Sequence, residues 1–164
     1  MGTYREQDPL AVFLTAEQNR LLDCIKQFAN GEGAARITEA RRIIRALAAA
    51  EASVLYPAFS RARLQLETER LLEDSRGNRA QHLAALDALA RKRAVPLRKL
   101  AAVQLCDLIA HHGEQHTSLL LPVLASQLPR PVYRSLSHQF MAHVTGELDR
   151  ALPTKAKTAA FVTG

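Results

Sequence analysis

Four side chains with metal-binding chemistry recur along the chain: Glu51, His82, His112 and His116. His112 and His116 are four residues apart, so on one helix their rings share a face and suit two adjacent coordination positions of a metal ion. Glu51 lies in an apolar stripe, and a buried carboxylate must be protonated or lie beside a cation. Three imidazoles or a metal ion would meet that need. Any one of these histidines alone is more often an ordinary core residue, so the hypothesis depends on the set.

Glu51 and His116 also occupy equivalent positions of a repeated pattern. The segments AEASVLYP and QHTSLLLP both end in a proline that lies six residues after Glu51 in the first case and after His116 in the second. Four residues before these two positions are Leu47 and His112. The chain therefore reads as a duplicated helix pair in which the second copy keeps more of the metal-binding groups.

Amphipathic periodicity predicts the helices that carry these residues. Asp8-Pro9 suits the start of a first helix, because an N-cap precedes a proline in the first turn. The predicted inward stripes are, in chain order, Leu10, Leu14, Gln18, Leu21, Ile25 and Phe28; Ile37, Ala40, Ile44, Leu47, Glu51, Val54 and Ala58; His82, Leu86 and Leu89; and Leu105, Ile109, His112, His116, Leu119 and Val123. The third helix lacks a clear start signal, and residues 74–78 are of a type that kinks or divides a helix.

Composition favours an all-α domain, with 48% hydrophobic residues and only seven glycines and seven prolines. We predict a single domain over residues 1–164, with a core at about 8–128, a short fifth helix at about 132–152 and a frayed basic tail at 154–164. Four long helices joined by short links fold most simply as an up-down-up-down four-helix bundle. In that bundle Gln18, Glu51 and the three histidines share one polar layer.

The charge and hydropathy of the chain limit the classes of partner that it is expected to bind. The net charge is +6, yet the basic clusters are scattered and aromatic residues make up only 5%, so solvated helix faces explain them better than nucleic-acid binding does. Apolar runs are shorter than the roughly 20 residues of a membrane span, which predicts a cytoplasmic protein without a membrane partner. Cys24 and Cys106 lack redox or zinc spacing and are expected to be free thiols.

These features resemble the hemerythrin family, and specifically its bacterial branch, the HHE cation-binding domain. The resemblance covers about residues 8–124 and depends most on the endings Leu55-Tyr56-Pro57 and Leu121-Pro122. It implies a four-helix bundle that holds two irons between its helices. Its pattern places an Asp-His on helix one and H-x-x-x-E-E-x-x-L-Y-P or H-x-x-x-E-E-x-x-L-F-P at the ends of helices two and four.

Matched residue by residue, the resemblance implies a reduced ligand set. Glu17-Gln18 replaces the Asp-His, and Leu47 replaces the first histidine of helix two, so the ligands of one iron are missing. His82 and His112 correspond to histidines of the other iron, Glu51 to one bridging carboxylate, and His116 replaces the second bridge. We therefore expect one metal ion bound by Glu51, His82, His112 and His116, with Gln18 and Tyr56 as supporting residues. Iron is the expected metal, with zinc or manganese as alternatives.

Three functional hypotheses remain open from the sequence. The resemblance implies a metal-binding protein that handles or senses oxygen, peroxide or nitric oxide. A metal-free regulatory or interaction module would keep the polar layer as a hydrogen-bond and ion-pair network. A metal-dependent enzyme with a substrate in the bundle is the third, and nothing in the sequence names that substrate.

Overall fold

A computed structural model describes residues 7–150, and within them every regular element is helical. The all-α prediction is therefore confirmed for this part of the chain. The elements are α1 (Pro9–Ala29), α2 (Gly33–Ala50), a first π-turn (Glu51–Leu55), α3 (Tyr56–Ser60), α4 (Leu66–Ala90), α5 (Val95–Glu114), a second π-turn (Gln115–Leu120), α6 (Leu121–Gln127) and α7 (Arg130–Arg150).

Helix α1 begins where the sequence predicts it. The Asp8 carboxylate accepts a hydrogen bond from the Leu10 backbone N–H at 3.0 Å, and Pro9 occupies the first turn, where its missing N–H costs nothing. The other oxygen of Asp8 accepts a hydrogen bond from the Tyr133 hydroxyl. One capping residue therefore both starts α1 and ties it to α7.

Helices α1, α2, α4 and α5 pack so that each has two neighbours among these four. Helix α1 lies against α2 and α5, and α4 lies against the same two helices. Buried Leu, Ile and Ala side chains from all four fill the space between them, including Leu21, Ile44, Leu86 and Leu105. This arrangement turns the inward stripes toward one another, and the predicted polar layer lies among them.

The fifth helix begins two residues earlier than predicted and is not short. Helix α7 spans 21 residues, as many as α1, and packs against α2, the first π-turn and α1. It is long because its inner side chains reach the core, where Phe140 and Val144 are fully buried. The predicted positions 151–152 and the tail at 154–164 lie outside the described residues.

The third helix is not divided. Helix α4 runs without interruption through Asp74–Asn78, where the sequence suggested a kink. Ser75 and Arg79 are buried on its inner face with polar partners, so this turn is retained as part of the helix interior.

Each half of the repeat contains a π-turn at the residue predicted to bind metal. The Tyr56 N–H bonds to the Glu51 carbonyl and the Leu121 N–H bonds to the His116 carbonyl, five residues back in both cases. Pro57 and Pro122 follow directly. Because a proline ring clashes with the carbonyl four residues earlier and cannot donate a hydrogen bond, the preceding turn widens.

This extra residue per turn shifts the buried face by one position. Leu119, predicted to point inward, is 52% exposed, and Leu120 is fully buried instead. In the first half Leu55 is fully buried, whereas the predicted Val54 is only partly so. Regular 3.6-residue periodicity therefore fails at Val54 and Leu119, because a π-turn advances the chain without the usual rotation, although Ala58 is buried as predicted.

The continuous helix from Gly33 to Ser60 is long and apolar enough, by length and composition alone, to cross a membrane. About 50% of its most apolar stretch is buried inside the protein, as in the core helices of soluble proteins, so this is weak evidence for a span. The expectation of no membrane partner stays a prediction.

Candidate metal centre

Three of the four predicted ligands meet in the interior. Glu51 comes from the first π-turn, His116 from the second, and His112 from the last turn of α5. All three are at most 1% exposed. The Glu51 Oε1 atom lies 3.6 Å from His112 Nε2 and 3.6 Å from His116 Nδ1, and one ligand atom from each residue falls within 4.8 Å of the others. We call Glu51, His112 and His116 the triad.

The spacing of the triad fits a single small cation. A tetrahedral ion with bonds of about 2.05 Å separates its ligand atoms by about 3.4 Å. The two distances from the carboxylate to the imidazoles are 3.6 Å, and the third distance of the triad is within 4.8 Å. His112 Nε2 and His116 Nδ1 are both buried without a hydrogen-bond partner among the described residues. Buried polar atoms are rarely left without a partner, so this pair requires an explanation, and a bound ion is one.

His82 lies beside the triad but not within it. Its ring is 1% exposed and meets the His112 ring edge-on, with centroids 5.3 Å apart. A hydrogen bond at the Leu108 backbone holds the ring, and its Nδ1 atom has no partner among the described residues. The structure thus brings the fourth predicted ligand to the layer, although no nitrogen of His82 belongs to the compact triad.

Helix α4 holds the outer nitrogens of the two triad histidines. His116 Nε2 lies 2.6 Å from Ser75 Oγ, and the Asn78 amide nitrogen lies 2.9 Å from His112 Nδ1. Metal binding through His116 Nδ1 requires the proton on Nε2, where Ser75 can accept it. For His112, metal binding through Nε2 requires the proton on Nδ1. The Asn78 side-chain amide must then be flipped, so that its oxygen accepts a hydrogen bond from Nδ1.

Tyr56 completes a hydrogen-bond chain around the site, which agrees with its predicted supporting position. Its hydroxyl lies 3.4 Å from Glu51 Oε2 and 3.3 Å from Ser75 Oγ. If His116 donates to Ser75, Ser75 to Tyr56 and Tyr56 to Glu51, every donor in the chain is used. This order leaves the lone pair of His116 Nδ1 directed toward Glu51 Oε1.

Arg79 is the site residue that sequence reasoning missed. Its Nε atom lies 3.1 Å from each oxygen of Glu51, and its Nη2 atom donates to Oε1 at 2.7 Å. The cation that a buried Glu51 requires is therefore present as a guanidinium. Its sequence signal is the inward stripe of the third helix, which continues backward from His82 through Arg79 to Ser75 at steps of three and four residues.

The electrostatics follow from burial and from this ion pair. Burial alone would raise the pKa of Glu51, but the Arg79 guanidinium and the two triad histidines hold it well below its usual range. Burial, aided by the charge of Arg79, lowers the pKa of His82 to about 3. Burial also lowers the pKa of His116 to about 4 and that of His112 below its usual value. The layer thus contains neutral imidazoles beside one carboxylate and one guanidinium.

Gln18, the other predicted supporting residue, has no hydrogen bond to the triad among the described residues. It is only partly buried, and its amide packs against the backbone of Gly113 on α5. A Cβ atom at position 113 would lie 1.4 Å from Gln18 Oε1, so the close approach of the two helices here requires glycine. Gln18 therefore packs α1 against α5.

Comparison of the chain with protein-family models, curated proteins and solved structures returned no match. The resemblance to the hemerythrin family therefore stays a proposal that rests on the residues quoted for it.

Proposed function

We propose that the protein binds a single transition-metal ion through the triad, with His82 as an additional ligand when its ring turns inward. The observation that supports this most directly is the pair of buried nitrogens, His112 Nε2 and His116 Nδ1. Both face Glu51 Oε1, and neither has a hydrogen-bond partner in the described part of the chain. Two imidazoles and a carboxylate with open positions are a donor set typical of nonhaem iron and also suit zinc or manganese.

The same proposal includes a hemerythrin-like up-down-up-down bundle. Support comes from the neighbour relations of α1, α2, α4 and α5, which close a four-sided ring, and from the short links between them. Further support comes from the two π-turns, which begin at Glu51 and just before His116 and are each followed by proline. A duplicated helix pair explains why the same local structure occurs twice.

An iron or manganese ion with open coordination positions would supply binding of oxygen, peroxide or nitric oxide, in handling or sensing. The surrounding residues of this chain have separate tasks. Ser75 and Asn78 orient the two imidazoles, and Tyr56 directs a hydroxyl toward Glu51. Fully buried Leu47 and Leu55 flank the carboxylate along the chain and limit the access of water.

Arg79 favours a second candidate function, a metal-free structural or regulatory module. Its guanidinium already neutralises Glu51 through hydrogen bonds to both carboxylate oxygens. A metal ion would share Oε1 with this cation, and two cations on one oxygen repel each other. Under this second function the layer is an internal network, and metal uptake is absent.

Metal content separates the two functions. We expect the protein, purified without a metal-chelating tag and reconstituted separately with Fe(II), Zn(II) or Mn(II), to retain about one equivalent of at least one metal. His112→Ala and His116→Ala should each lose most of it, because each removes a triad nitrogen. His111→Ala is the matched control, since His111 neighbours His112 but is exposed.

Equal metal retention in the two triad variants and the His111 control would show that the triad does not bind the ion. A wild-type protein that stays metal-free after reconstitution would favour the Arg79-neutralised network. His82→Ala then reports on the fourth ligand, because partial loss of affinity is expected if the ring coordinates and none if it does not.

A further inference from the structure

A second site lies on the outer side of the Glu51–Arg79 ion pair. It is a pocket of about 670 Å³, a size typical of small-molecule sites. Its wall is formed by the end of α2, the first π-turn, α3 and one face of α4. The lining residues are Ala48, Glu51, Ala52, Tyr56, Pro57, Ser60, Arg61, Arg76 and Arg79.

The charge of this pocket is unbalanced. Glu51 is its one acidic group, and Arg79 already neutralises it through Nε and Nη2. Arg61 and Arg76 form no ion pair with an acidic side chain of the described residues, and both are exposed at the pocket. Two positive charges therefore face the pocket without a counter-ion from residues 7–150.

The pocket also contains a hydrogen-bond donor whose orientation is fixed, the guanidinium of Arg79. Arg79 is only 8% exposed, and its Nη1 atom donates to no partner among the described residues, although Nε and Nη2 are both engaged. Because Glu51 fixes the guanidinium plane, the free edge of Arg79 is oriented before any ligand arrives. Arginine with such a fixed fork suits carboxylate and phosphate oxygens.

Apolar surface completes the site. The Ala48, Ala52 and Pro57 side chains lie on its wall, and the Tyr56 ring is covered by the Arg76 guanidinium at 5.6 Å. That contact positions Arg76 over the pocket without neutralising it. The lining therefore combines a cationic end with an apolar wall.

We propose that this pocket binds a small organic anion, with a carboxylate or phosphate group toward Arg61, Arg76 and Arg79 and an apolar body against the wall. The proposal does not require a metal ion at the triad. If metal is bound, the anion lies behind Glu51 on the side of Arg79, so the two sites share one ion pair and not a ligand atom.

The test uses isothermal titration calorimetry of the full chain in a phosphate-free buffer. Phenyl phosphate should bind, and benzyl alcohol, which has the ring without the charge, should not. The double variant Arg61→Gln/Arg76→Gln should weaken phenyl phosphate binding at least about ten-fold, because it removes two charge-assisted donors. The matched control is Arg63→Gln/Arg70→Gln, which makes the same charge change at exposed arginines outside the pocket.

Equal weakening in the two double variants would overturn the proposal, because it would show diffuse attraction to a basic protein. Binding of benzyl alcohol as tight as phenyl phosphate, or no binding of phenyl phosphate by the wild type, would overturn it as well. Amide NMR shifts of the wild-type protein give a test that needs no variant. Shifts centred on Ala52 and Tyr56 support the site, and shifts elsewhere contradict it.

Discussion

The first and second π-turns have the same backbone pattern but present different chemistry to the interior. The first contributes Glu51, whose charge needs a cation, and Arg79 supplies it. The second contributes His116, which is neutral and is held by the Ser75 hydroxyl. One turn before each ligand, the first half has aliphatic Leu47 and the second has His112. The halves therefore share a scaffold and differ in electrostatics.

The difference between the two halves shows that α4 supplies the polar partner of each triad residue. Ser75, Asn78 and Arg79 all lie on this one helix, and each meets a different member of the triad. Matching a neutral partner to each imidazole and a charged partner to the carboxylate satisfies every outer polar atom of the triad. Within residues 7–150, only the inward nitrogens of the triad, His112 Nε2 and His116 Nδ1, remain without hydrogen-bond partners.

Removing the cation from the first half should have the largest effect. We expect Arg79→Met to lower the free energy of unfolding of the metal-free protein by about 3–5 kcal/mol, because it leaves Glu51 charged, buried and unpaired. The Glu51→Leu/Arg79→Met double variant should be more stable than Arg79→Met, since it removes both charges. Urea unfolding followed by circular dichroism measures both.

Arg70→Met is the control for this pair, because Arg70 lies on the same helix but is exposed, and such changes usually stay within about 0.5 kcal/mol. An Arg79→Met variant as stable as Arg70→Met would mean that Glu51 does not depend on the guanidinium.

As pH falls, the free energy of unfolding should decrease first through the buried histidines and only at lower pH through Glu51. In the folded, metal-free protein His82 and His116 stay neutral to a pKa of about 3 and about 4, whereas the unfolded chain protonates them near 6.5. The unfolded state therefore binds more protons, and the free energy of unfolding falls as pH drops below 6.5. Each histidine contributes a slope of about 1.4 kcal/mol per pH unit.

Glu51 contributes at lower pH than the histidines do. Because its pKa is lowered in the folded state, its contribution to the free energy of unfolding is present above pH 4.5 and is lost as pH falls further. Urea unfolding at pH 7, 6 and 5 with a chelator isolates the histidines. His82→Phe should reduce the slope by one proton. The same slope in His82→Phe and wild type would show that His82 is not held neutral.

The smallest effect concerns Tyr56, whose counterpart in the second half is Leu121. We expect Tyr56→Phe to cost about 1 kcal/mol of unfolding free energy, because it removes the hydroxyl that lies between Ser75 and Glu51. Combining it with Ser75→Ala should cost less than the sum of the single variants, because both belong to one network. Additive costs, measured by the same urea titrations, would show that the hydrogen-bond chain is not coupled.

Much of this site could be predicted from the sequence. Helical spacing predicted that Glu51, His82, His112 and His116 point inward, and all four are buried. The proline-ended repeat predicted equivalent positions for Glu51 and His116, where the two π-turns occur. The same reasoning failed at Leu119 because it assumed regular helix throughout.

By itself, the sequence determined that residues 7–150 are mainly helical, where α1 begins and which polar residues belong to the interior, because periodicity and capping are local properties. Tertiary structure decided which cation meets Glu51. An arginine 28 residues away along the chain is chosen by the packing of α2 against α4, and local sequence contains no record of that packing. It also decided that His82 stays beside the triad and that Gln18 packs on Gly113, since both depend on distances between helices.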